Sequence, residues 1–130
     1  MARDNTISIT YTQQAGDGAS GFSESSGAKN FTSGDAVKIE GTITHVAKQM
    51  SVAEFGFTQA DGIYCENRGT GILTFELMTD ASTTTHLFQL PPNGGMMCVR
   101  FDATQTAITY MKLTGVTTDL ALQYVLCFSE

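Results

Sequence analysis

The chain has no tryptophan, only two prolines and three cysteines, and charged residues make up just 15% of it. Each shortage excludes something. Cys65, Cys98 and Cys127 are an odd number without a CxxC pair, which argues against a disulfide-stapled scaffold and against a zinc ribbon. They read as reduced thiols packed as small hydrophobes, in a chain that folds in a cytosol. His45 and His86 stand alone, with no HxH or HExxH spacing, so no metal is expected. Basic residues are also scarce, 7 against 13 acidic, for a net charge of −6. They are scattered as Arg3, Lys29, Lys38, Lys48, Arg68, Arg100 and Lys112. A nucleic-acid binder gathers positive charge on one surface, so no nucleic-acid partner is expected.

Long apolar runs are missing too. No stretch approaches the roughly 18 apolar residues that cross a bilayer, and residues 1–14 carry no apolar core of a signal peptide. No membrane partner is expected. The absence of tryptophan removes the commonest platform of a carbohydrate-binding sandwich, although Tyr11, Tyr64, Tyr110 and Tyr124 keep that function open. No GxSxG elbow, SxxK pair or GxxxxGK[ST] loop occurs. No catalytic residue and no cofactor is therefore expected, and the chain reads as a non-enzyme. The sequon Asn30-Phe31-Thr32 is read as a chance match.

What the chain does have is alternation. Residues 61–130 carry most of it, as short apolar–polar stretches broken by Asp61-Gly62, Arg68-Gly69-Thr70-Gly71, Pro91-Pro92-Asn93-Gly94-Gly95 and Thr114-Gly115. Strands are predicted over residues 6–13, 36–44, 53–58, 63–67, 72–79, 86–90, 96–102, 108–113 and 120–128. Gly41 falls at an inward position of the second, which points to a bulge or a close approach. In the fifth, Leu73, Phe75 and Leu77 oppose Thr74, Glu76 and Met78; residues 81–84 follow as a turn. Met97, Val99 and Phe101 point inward from the seventh, and Met96, Met97 and Met111 read as fillers of core gaps. In the last strand Leu120, Leu122, Tyr124, Leu126 and Phe128 share one face. The other face, Ala121, Gln123, Val125 and Cys127, is also rather apolar, as in a strand that lies centrally or at an interface. Arg68 and Arg100 are expected to pair with Glu66, Glu76 or Asp102. Residues 14–30, rich in Gly and Ser, are expected to form a flexible loop or arm, because they offer little apolar surface against their ordering entropy. Nine short strands at roughly ten-residue spacing predict an all-β fold. It would be one β-sandwich domain over residues 1–130, jelly-roll-like in architecture.

The run DGIYCENRGTGILTFELMTD, then FQLPPNGGMMCVRFDA, then AITYMKLTGVTTDLALQYVLCFSE, resembles small virion structural proteins of tailed bacteriophages, of the capsid decoration or head-stabilising type. The matching positions are Asn67 after a strand, Leu90-Pro91 with Gly94-Gly95 at a turn, Arg100 in the next strand, and Lys112-Leu113 before Gly115. The likeness spans about residues 50–130; its Pro-Pro-Asn-Gly-Gly turn is longer than the usual one. It implies a virion protein, made in the host cytoplasm, that binds the major capsid protein in the assembled shell. It also implies a homo-oligomer, with a trimer favoured. A glycan- or receptor-binding module of a tail or fibre, and a neck or tail structural component, stand as alternatives.

Overall fold

The computed structural model describes residues 3–8, 10–13, 22–25, 29–33, 36–101 and 107–130. The chain divides into two compact units, Met1–Asp35 and Ala36–Glu130. The sandwich expected over residues 1–130 occupies the second unit, and the first is built separately.

The first unit is a ribbon of paired strands. β1 (Arg3–Ile7) runs antiparallel to β4 (Lys29–Ser33), and β2 (Thr10–Gln13) antiparallel to β3 (Phe22–Ser25). The strand expected over 6–13 is therefore two strands with different partners. Between the pairs Ile7–Lys29 and Thr10–Ser25 one arm has two residues and the other three, so the register shifts by one, the count of a β-bulge. The flexible loop expected over 14–30 also changes, since residues 22–25 and 29–30 are strand; residues 14–21 lie outside those described. The reason is backbone pairing. An alternating strand rich in threonine needs a partner for its N–H and C=O groups, and a Ser- and Asn-rich strand serves for that whether or not it buries a face.

The second unit is a sandwich of two four-stranded antiparallel sheets. Its strands are β5 (Ala36–Ile43), β6 (Lys48–Ser51), β7 (Gly62–Asn67), β8 (Leu73–Asp80), β9 (Thr83–Leu90), β10 (Gly95–Arg100), β11 (Tyr110–Gly115) and β12 (Leu122–Ser129). One sheet has the order β5-β12-β7-β10, the other β6-β11-β8-β9. Counted from β5, these are first-eighth-third-sixth and second-seventh-fourth-fifth. That is the interleaved double Greek key of an eight-stranded jelly roll.

Alternation explains the core. Ile63 and Cys65 of β7, Leu73, Phe75 and Leu77 of β8, Met111 and Leu113 of β11, and Leu122, Tyr124, Leu126 and Phe128 of β12 are all buried between the sheets. Each such aliphatic or aromatic side chain removed from water contributes about 1.5–3 kcal/mol. β12 lies between β5 and β7, the central place that its two apolar faces imply. Even Val125, on its outward face, is buried. Gly41 lies opposite Tyr124, and a Cβ there would come within 2.8 Å of the Tyr124 hydroxyl. The close approach at this glycine is thus made by a phenol rather than by backbone. Met97 and Met111 are core residues as expected, but Met96 is 53% exposed.

The strand expected over 53–58 is instead a one-turn 3₁₀ helix, η1 (Val52–Phe55). Ser51 caps it, its hydroxyl accepting from the Ala53 N–H, and Gly56 ends it in the left-handed region at φ 84°. These two local signals outweigh the alternation of Ala53, Phe55 and Phe57. The turn delivers Phe55 and Phe57 edge-on to Phe128, with ring centroids 5.3 and 5.5 Å apart. The turn expected over 81–84 is also shorter, because Thr83 and Thr84 already belong to β9.

Candidate functional site

Strand pairing brings four connections to one end of the sandwich. Ile43 at the end of β5 faces Leu122 at the start of β12; Asn67 at the end of β7 faces Gly95 at the start of β10; Leu73 at the start of β8 faces Leu90 at the end of β9. The β5–β6, β7–β8, β9–β10 and β11–β12 connections therefore lie together, and all four cross from one sheet to the other. Backbone hydrogen bonds tie them: Gly115 N–H to the Thr44 carbonyl at 2.8 Å, Val116 N–H to the Ile72 carbonyl at 3.0 Å, and Asn93 N–H to the Gly69 carbonyl at 2.9 Å.

Asn67 is the centre of this end. Its side chain is fully buried and its amide donates to the carbonyls of Gly71 (2.7 Å), Leu90 (3.0 Å) and Pro91 (3.1 Å). Its carbonyl oxygen accepts from the Gly69 N–H at 2.9 Å, while its own backbone carbonyl accepts from Gly94. The positions that carried the sequence resemblance, Asn67, Leu90, Pro91 and Gly94, thus meet at one junction, and their role there is architectural. Gly69 is required because the loop runs against β12: a Cβ would stand 2.7 Å from Leu122 Cδ2 and 2.9 Å from its Cα.

This rigid end presents aliphatic groups to solvent. Val46 is 66% exposed, Ile72 41% and Val116 53%. They come from three connections that the bonds above join, since Val116 binds Ile72 directly and Val46 N–H bonds the Thr44 hydroxyl two residues from it. His45 is here also, its Nδ1 accepting from the Asp119 N–H at 3.4 Å. Sequence reasoning singled out none of these three aliphatic residues as exposed. The available signal was an aliphatic residue set among turn formers, as in Gly71-Ile72 and Gly115-Val116-Thr117-Thr118.

A second feature is a polar groove of about 300 Å³ on the outward face of the β5-β12-β7-β10 sheet, lined by Glu40, Gly41, Thr42, Arg68, Gln123, Tyr124 and Val125. Its charges are already paired. Lys38 lies 2.9 Å from Glu40, and Arg68 lies 3.4 Å from Glu66 and 4.0 Å from Glu40. The Lys38 ammonium holds the Glu40 carboxyl below its usual range, and the Tyr64 hydroxyl, donating at 2.7 Å, does the same for Glu66. Burial, then that hydrogen bond, pushes Tyr64 up to about 12. Such a network fixes side chains on a sheet surface; it offers neither a poised acid nor a nucleophile.

The other residues weighed from the sequence are dispersed. Arg68 pairs with Glu66 as expected, whereas Glu76 pairs with Lys112 at 3.2 Å. His86 lies on β9 beside Thr85 and against the Phe101 ring, away from His45. Asp102 falls outside the described residues. All three cysteines are free thiols, Cys65 buried and Cys98 and Cys127 half-buried. Among the described residues no group of three or more His, Cys, Asp or Glu side chains could hold a metal ion, and no helix is long and apolar enough to cross a membrane. Tyr124 is buried and Tyr64 and Tyr110 are half-buried. No family model, curated protein or solved structure matches this chain.

Proposed function

We propose that this chain is a non-enzymatic structural protein of a phage virion, which binds the major capsid protein in the assembled shell and stabilises it. The observation that carries the reading is the strand order. An eight-stranded double Greek key is an architecture that viral shell proteins use, along with lectins and cupins. Fold narrows the class, and surface chemistry has to choose within it. Here the surface offers exposed aliphatic groups on a rigid end, the mark of a protein-binding surface, while the tyrosines described are at least half-buried. That favours a protein partner over a saccharide stacked on an aromatic platform.

A protein that bridges neighbouring shell subunits binds the assembled state and not the free subunits. By mass action it then opposes disassembly by RT ln(1 + [L]/Kd) per site. The ribbon of β1–β4 fits the same role as an arm that orders on contact, because a two-stranded ribbon is marginal in water on its own. A homotrimer is the oligomer that best suits binding among symmetric shell subunits.

The test mixes purified protein with capsids that lack it and measures co-sedimentation and survival of the particles on heating. Binding at micromolar concentration with raised particle survival is the expected result. Protein that stays free of the particles, or that binds isolated saccharides instead, would replace this reading with the receptor-binding one.

A further inference from the structure

We infer that the loop end bearing Val46, Ile72 and Val116 is the face that docks on the shell, and that the surface it meets is apolar at its centre and rimmed by carboxylates. The inference rests on the capsid reading above and adds to it the contact surface and its chemistry.

Two independent observations converge on this end. The first is apolar exposure. Val46, Ile72 and Val116 are three of the five large hydrophobic side chains that stand out in solvent among the described residues, and they share one end of the sandwich. The other two, Leu87 on β9 and Met96 on β10, belong to different sheets. Exposed aliphatic groups scattered singly need no explanation, but three gathered on hydrogen-bonded loops mark a contact surface. The loops are already held by the Asn67 junction, so little ordering entropy opposes docking.

The second observation is charge. The described residues of the sandwich carry more acid than base, yet the acid is unevenly placed. Glu54 of η1, Asp61 before β7, Asp80 at the end of β8 and Glu130 after β12 lie at the opposite end. The loop end has Lys48 at the start of β6 and Arg68 after β7, against the single carboxylate of Asp119. An apolar centre flanked by two cations complements an apolar surface rimmed by acids. The same asymmetry repels such a surface from the opposite end, which fixes orientation during the encounter.

The experiment uses the full chain and capsids lacking it. It compares wild type with Val46→Asp, Val116→Asp and Leu87→Asp in a co-sedimentation titration at low and at high salt. All three substitutions add a carboxylate at a position more than half exposed, and cooperative melting checks that each variant folds. The expected result is that wild type binds less tightly as salt rises, because the charges at the contact are screened. Val46→Asp and Val116→Asp should each weaken binding by about tenfold or more, as for central interface residues, and Leu87→Asp should bind like wild type. If wild type binds but the two loop-end variants bind equally well, the docking face is elsewhere and the capsid reading stands. If Leu87→Asp loses binding while the other two keep it, the sheet face of β9 is the contact instead. If wild type does not bind at all, the capsid reading and the docking face both fail.

Discussion

At the scale of single residues, Asn67 is the side chain on which the loop end depends. It is fully buried and makes four hydrogen bonds to backbone groups of two different connections. Removing it leaves those groups without partners in a site that water does not easily reach. Asn67→Ala should therefore destabilise the protein by about 2–3 kcal/mol, measured as a shift of the urea midpoint. Asn67→Asp keeps the volume but sets a carboxylate against three carbonyl oxygens, so at neutral pH it should cost more than the alanine variant. An alanine variant as stable as wild type would show that the loops are held by their backbone bonds alone.

A second residue-level consequence concerns pH. Burial pushes the Cys65 thiol from its ordinary 9.0 up to about 12, with Cys127 and Glu66 adding to the effect. Burial of Tyr64, with its bond to Glu66, moves that hydroxyl from 10.0 to about 12. Both groups ionise earlier in the unfolded chain than in the folded one. Their contribution is therefore fully present below about pH 9 and is lost as pH rises towards 12. Urea midpoints should hold steady to about pH 8 and fall by about pH 11, and Cys65→Ala should flatten part of that fall. An unchanged slope in the variant would assign the alkaline loss to other groups.

At the scale of elements, alternation was readable wherever a strand has one buried and one exposed face. β12 is the clearest case: Leu122, Tyr124, Leu126 and Phe128 are buried and Gln123 is exposed. Leu122→Ala should cost about 2–5 kcal/mol through its cavity, whereas Gln123→Ala should stay within about 0.5 kcal/mol. Equal losses would mean a register slipped by one residue, which exchanges the two faces. Alternation misled at residues 53–58 because Phe55 and Phe57 reach the core from a capped 3₁₀ turn as well as they would from a strand. It was silent about β3 and β4, whose residues are polar and pair without an apolar signal in the sequence. The candidate site was legible only in outline. Asn67 and the Leu90-Pro91 turn stood out as a pattern, but their meeting is a product of two distant loops. The exposure of Val46, Ile72 and Val116 is likewise set by tertiary placement: Ile72, for instance, reads as the first residue of a strand and stands just outside β8.

At the scale of the whole molecule, the two units make different demands on folding. The core cluster draws its residues from the second unit, from Val37 to Phe128, and every strand of both large sheets lies within residues 36–130. The first unit consists of two two-stranded ladders. A two-stranded ladder without a packed face is marginal in water, whereas an eight-stranded sandwich has a complete core of its own. A chain beginning at Ala36 should therefore fold by itself, with one cooperative melting transition within about 5 °C of the full chain's. Residues 1–35 alone should show no such transition. Differential scanning calorimetry of the two pieces and the full chain decides the matter. Loss of cooperative melting in the 36–130 piece would mean that the first unit supplies part of the stability that the sandwich core is here held to provide. A large drop in melting temperature with cooperativity retained would mean that the two units share an interface strong enough to count in the energetics of the whole chain.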